Sequence, residues 1–115
     1  MDRLAAQIQT RGLHVFARID HAAGAAEVGL PLARTDLVIF GNARGGTPLM
    51  QSVQTVGIDL PLKILVWQDA ANNTSLSYNE PGWIAQRHGV AGRESTVDKL
   101  ADLLRAIARE AAGSP

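Results

Sequence analysis

Seven residues carry side chains suited to holding or transforming a small ligand: His21, Asn42, Arg44, Thr47, Lys63, Trp67 and Tyr78. Arg44 lies in the run Phe40-Gly41-Asn42-Ala43-Arg44-Gly45-Gly46-Thr47-Pro48, where a glycine-rich turn entering a helix could offer backbone N–H groups and one cation to an anion. Gly41 and Gly46 have the glycine spacing of a phosphate loop. The lysine of that motif is missing, because Thr47 directly follows Gly46, and an NTPase reading fails. Glycine and the Thr47-Pro48 pair also suffice for a plain tight turn leading into a capped helix.

Lys63 can orient an anion or pair with a nearby carboxylate, and Trp67 with Tyr78 would form a flat apolar wall with polar tips, suited to a pocket or a subunit contact. Asn42 suits a turn with positive φ. His21 is the best general-base candidate, since Asp20 precedes it and a helix begins there. His14, His21 and His88, with Asp20, offer metal-ligand chemistry, but their spacing fits no standard metal motif, so no metal site is assigned. Ser52, Ser75 and Ser77 lack the context of a nucleophile elbow, and the absence of cysteine excludes disulfides, thiolate metal sites and thiol nucleophiles.

The elements that must position these residues follow from periodicity. Leu13 to Asp20 alternates, predicting a strand with Leu13, Val15, Ala17 and Ile19 on one face and His14, Phe16, Arg18 and Asp20 on the other. Asp20 then caps a helix over His21 to Val28, which Gly29 stops. Leu37 to Phe40 is an apolar run too short for a helix and reads as a strand. In the next helix Thr47 is expected as the cap and Pro48 in the first turn, with Leu49, Met50, Val53 and Val56 buried before Gly57 ends it.

Leu62 to Gln68 is a further strand, joined through Asp69 to Asn73 to a strand over Ser75 to Tyr78. Pro81 opens a helix that His88-Gly89 closes. A last amphipathic helix over about residues 96–110 starts near Ser95 or Thr96, where Ser95-Thr96-Val97-Asp98 approximates a capping box. It buries Val97, Leu100, Ala101, Leu104, Ile107 and Ala108 and leaves Asp98, Asp102, Arg105 and Arg109 wet. Met1 to Gln9 forms a weaker helix, and Ala111 to Pro115 is expected to fray.

The resulting fold class is α+β: one domain over residues 1–115, with a single sheet of about four mainly antiparallel strands and helices packed on one face. The odd-numbered residues of the first strand, with Leu62, Ile64 and Val66, face those helices. The opposite face then carries Phe16, Arg18, Lys63, Leu65 and Trp67, a mixture that calls for a partner subunit or a ligand.

Eleven basic residues balance eleven acidic ones without a cluster of either lysine or arginine, which argues against nucleic-acid binding. No apolar run is long enough to span a bilayer, and the amino-terminal residues lack the pattern of a secretory signal, so a cytoplasmic location is expected.

Four segments in order, Phe16-Ala17-Arg18-Ile19-Asp20-His21, Phe40-Gly41-Asn42 with Gly46-Thr47-Pro48-Leu49-Met50, Asp59-Leu60-Pro61-Leu62-Lys63 and Tyr78-Asn79-Glu80-Pro81, resemble the family called domain of unknown function 302. The resemblance covers about residues 12–90. It implies a small domain similar to the TATA-box-binding-protein fold, usually homodimeric and found in bacteria and archaea, with no established activity, substrate or catalytic residues; no cofactor is expected. The residues and the resemblance together lead to a homodimeric binding or interaction module. The alternatives are an enzyme or binder acting on a small anionic metabolite, with Arg44 or Lys63 on the anion and His21 as acid or base, and a metal or haem binder using His14, His21 or His88.

Overall fold

Alternating apolar residues build four strands, β1 (His14–Asp20), β2 (Thr35–Gly41), β3 (Leu62–Gln68) and β4 (Thr74–Ser77), in a computed structural model that describes residues 2–111. All neighbours are antiparallel and the spatial order is β1-β2-β3-β4. Five helices accompany them: α1 (Asp2–Thr10), α2 (His21–Glu27), α3 (Ala43–Ser52), α4 (Pro81–His88) and α5 (Glu94–Ala111), with a 3-10 turn over Gln54–Ile58. The α+β architecture with one four-stranded antiparallel sheet matches the expectation from the sequence. The expectations placed on Met1 and on residues 112–115 lie outside the described residues.

One hydrophobic core joins a single face of the sheet to the helices. Val38 and Phe40 of β2 and Leu62, Ile64 and Val66 of β3 meet Leu4 and Ile8 of α1, Leu49 of α3, Ile84 of α4, and Leu100, Leu104 and Ile107 of α5. Each such fully buried side chain stabilises the fold by roughly 1.5–3 kcal/mol relative to exposure. Helix α2 contributes no buried residue.

Local signals set most boundaries. Asp20 caps α2 by accepting the Ala23 N–H at 2.9 Å, and Gly29, at φ 74°, ends it in the left-handed conformation that glycine favours. Gly89 closes α4 in the same way, at φ 69°. Asp69 Oδ1 accepts from Ala71 and Asn73, both at 2.9 Å, folding the β3–β4 hairpin.

Three expectations are corrected. Helix α3 begins four residues before Thr47, because Asn42 is the cap: its Oδ1 accepts the Gly45 N–H at 2.8 Å, and its φ of −150° is extended, not positive. Pro48 therefore lies inside the helix, and the N–H it lacks would have met the Arg44 carbonyl. The helix stops at Ser52 and the apolar stripe continues through the 3-10 turn, where Val56 is fully buried. Helix α5 starts at Glu94, with Val97 N–H donating to the Arg93 carbonyl, so Ser95 and Thr96 sit within its first turn and form no capping box.

The third correction concerns β1. Val15 pairs with Phe40 but Ala17 pairs with Ile39, so Phe16 is an extra residue, a β-bulge. With a side-chain period of two, one added residue exchanges the faces of everything after it. Ala17 and Ile19 pair with Ile39 and Leu37 on the open face, whereas Arg18 pairs with Val38 on the helix side and donates to Asp2 of α1 at 3.3 Å.

Candidate functional site

The bulge leaves the open face of the sheet more apolar than its sequence alternation implies. Ala17 and Ile19 of β1, Leu37 and Ile39 of β2, and Leu65 and Trp67 of β3 share it through the pairings Ala17–Ile39, Ile19–Leu37 and Leu37–Leu65. Ile19 is 40% exposed, and the other members of β2 and β3 are half-buried. The polar ends of Trp67 and Lys63 are engaged by groups of the same chain. Trp67 Nε1 donates to Ser77 Oγ at 2.8 Å, and Lys63 Nζ folds back to donate to the carbonyls of Asp59 and Pro61, both at 3.2 Å. An apolar sheet face whose polar tips are already engaged loses little hydrogen bonding when it is covered.

A second concavity opens at the start of α3. Its volume is about 330 Å³, and its walls include Leu13, Phe40, Met50, Leu60, Leu62 and Leu100. Asn42, Ala43 and Thr47, all exposed, stand at its rim. Phe16, the bulged residue, also borders it, packing edge-on against His14 with ring centroids 4.7 Å apart.

The densest polar cluster lies elsewhere, where the 3-10 turn meets α4. His88 Nε2 is 2.5 Å from Asp59 Oδ2, and its Nδ1 is 3.1 Å from Thr55 Oγ1. Arg87 donates to both Asp59 oxygens at 2.9 and 3.1 Å and lies over the Trp83 ring, 5.7 Å from its centroid. The hydrogen bond from His88, helped by the charges of Arg87, His88 and Lys63, holds the Asp59 carboxyl below its ordinary 3.8 against an opposing desolvation. These contacts pin the segment before β3 to the end of α4. Among the described residues no group of three or more His, Asp or Glu side chains is arranged to hold a metal ion.

The seven ligand candidates do not converge. His21 is the exposed first residue of α2, and the Asp20 carboxylate beside it is engaged by the Ala23 N–H. Asn42 and Thr47 border the cavity, and Arg44 is exposed on the first turn of α3. Lys63 and Trp67 belong to the open face. Tyr78 packs against the core on the other side of the sheet, so the expected Trp67–Tyr78 wall does not form. Burial raises the Tyr78 phenol above its ordinary 10.0, with the Glu80 charge adding to the effect. The Asp59–His88 pair escaped sequence reasoning because 29 residues separate the partners. The only local sign of it was a histidine at a helix C-terminus.

Comparison with known proteins follows the same lines. A family model described as "Domain of unknown function DUF302" matches residues 1–110. The chain is 48% identical over 90 residues to proteins named "Fluoride-specific ion channel FluC 1" from Brucella suis biovar 1 (strain 1330) and Brucella abortus biovar 1 (strain 9-941). The same identity is found with "Fluoride-specific ion channel FluC 2" from Brucella melitensis. These matches take in 78% of this chain but only 35%, 33% and 33% of the relatives, so the chain spans about a third of their length. Among the described residues no helix is long and apolar enough to cross a membrane.

A crystal structure of an uncharacterized conserved DUF302 protein from Bacillus stearothermophilus superposes with a TM-score of 0.83 at 18% identity, covering 93% of this chain and 84% of that one. That likeness supports the fold, and the family model covers nearly the whole sequence. By motif order, family model and architecture, the chain belongs to the DUF302 family.

Proposed function

We propose that this protein is a homodimeric binding module in which a second copy of the chain covers the open sheet face. The observation that carries the reading is the face itself. Ala17, Ile19, Leu37, Ile39, Leu65 and Trp67 form an apolar surface, while Lys63 and Trp67 turn their polar atoms to groups of the same chain. An apolar surface whose Trp67 and Lys63 polar atoms are already engaged is well met by another like it, and a two-fold axis supplies one without further design. Light scattering after size exclusion tests this. The wild-type chain elutes at twice its 12.2 kDa mass, and Leu65→Arg, which puts an unpaired charge at the centre of the contact, elutes as a folded monomer. A wild-type protein that stays monomeric at high concentration overturns the proposal.

A second reading draws on the relatives. Identity of 48% over 90 residues with part of proteins named as fluoride channels supports a module that serves such a channel, either attached to it or made separately. Co-purification with the channel portion of the Brucella suis relative tests it, and failure to associate in detergent or in vesicles removes it. Lys63, with its ammonium folded onto two carbonyls, and His21, with no carboxylate partner among the described residues, give little support to an enzyme acting on a small anion.

A further inference from the structure

We propose that the cavity between α3, α5 and the start of β3 is a binding site for a small, predominantly apolar molecule, an acyl chain or an aromatic ring system, distinct from the sheet face. Its 330 Å³ is about twice the ~150 Å³ that accommodates a benzene ring in an apolar protein cavity, and it lies within the range of small-molecule pockets. Its floor is made of core residues: Phe40 is fully buried and Leu62 is 6% exposed. The walls are aliphatic, from Leu13, Met50, Leu60 and Leu100. Polar groups stand only at the rim, and the Asn42 side-chain oxygen there is already committed to the Gly45 N–H. An ion would therefore lose its hydration inside without replacement, whereas an apolar group would shed ordered water.

The composition of α3 points the same way. Gly45 and Gly46 are adjacent inside a helix, where each costs up to about 1 kcal/mol relative to alanine. A Cβ at Gly46 would come within 3.3 Å of Leu60 Cδ1, and one at Gly45 within 3.4 Å of Leu100 Cδ2. A side chain at Gly46 would thus crowd the Leu60 wall, and one at Gly45 would rest against the Leu100 wall. The glycine pair keeps the helix thin on its cavity side at the expense of helix propensity, which is the sense expected if the space is used.

The test is a fluorescence titration of the intact protein with N-phenyl-1-naphthylamine, a neutral apolar probe, followed by displacement with decanoate and with decan-1-ol. Saturable binding with one site per chain is expected, and both competitors should displace the probe through their shared alkyl chain. Ala43→Phe and Thr47→Phe place bulk at exposed rim positions without touching the core, and each should weaken binding at least about tenfold, equivalent to about 1.4 kcal/mol. Leu65→Arg on the sheet face should leave it unchanged, which separates this site from the subunit contact. Absence of saturable binding overturns the proposal. So does binding that survives both rim substitutions, or binding abolished by Leu65→Arg alone, which would locate the apolar site on the sheet face.

Discussion

His88 and Asp59 face each other across 2.5 Å, closing a contact between the C-terminal end of α4 and the residue two positions before Pro61. Both side chains are largely shielded, with 9% and 13% exposure, so the pair is a fastening between two segments that have no backbone ladder in common. Because the folded Asp59 titrates below 3.8, its contribution to stability is complete above that value and disappears as pH falls through the folded pKa. Asp59→Asn should cost about 1–3 kcal/mol at neutral pH, and the difference from wild type should shrink below about pH 4. Urea midpoints at about pH 6 and about pH 3 check this. An unchanged difference at the lower pH would refute the linkage.

Tyr78, the only tyrosine, gives a clean alkaline signal. Its folded pKa is raised, so the neutral phenol is favoured in the native state, and the associated stability is intact below 10.0 and lost as pH rises through the folded value. Absorbance at the phenolate band should rise at higher pH in the native protein than in urea. Coincident titrations would show that the ring is not shielded.

Asn42→Ala should destabilise by about 1 kcal/mol, the usual cost of an N-cap. Thr47→Ala should cost little, since Thr47 is an exposed residue in the body of α3. Thermal unfolding of the two variants ranks them, and a larger loss for Thr47→Ala would contradict the assigned cap.

Leu104→Ala removes a side chain that is 1% exposed and holds α5 on the core. A loss of about 2–5 kcal/mol is expected from transfer and cavity terms together. Asp102→Ala, two residues away on the wet face, should stay within about 0.5 kcal/mol of wild type even though Asp102 pairs with Arg105. Denaturant unfolding of both variants measures the contrast.

Order and type of the elements were readable because each rests on local information: Asp20 before α2, Gly89 after α4, and Leu100, Leu104 and Ile107 at helical spacing. Two competing local signals decided the start of α3. Thr47-Pro48 looks like a beginning, but Asn42 is also a preferred cap, and tertiary packing of Leu49 accepts a helix with proline inside. The bulge at Phe16 was not readable, since an unbroken alternation runs through it and only the pairing with β2 reveals the extra residue. Its effect falls on the open face: unbroken alternation puts Arg18 there and Ile19 on the core side, and the extra residue exchanges the two. Tyr78 lies across the sheet from Trp67 for a related reason: the adjacency of β3 and β4 is legible in the sequence, but the parity of their side chains is set by the hairpin register.

Strand pairing has a further consequence at the margins of the sheet. The two outer strands are β1, interrupted at Phe16, and β4, only four residues long. An interrupted edge and a short edge are poor templates for another strand, so lateral growth of the sheet from chain to chain is disfavoured at both ends. The broad face is the other surface open to association, and two copies paired there, as proposed above, would leave nothing for a third. The same single extra residue that gathers Ala17 and Ile19 onto that face guards the margin beside it, favouring a finite pair over a fibre.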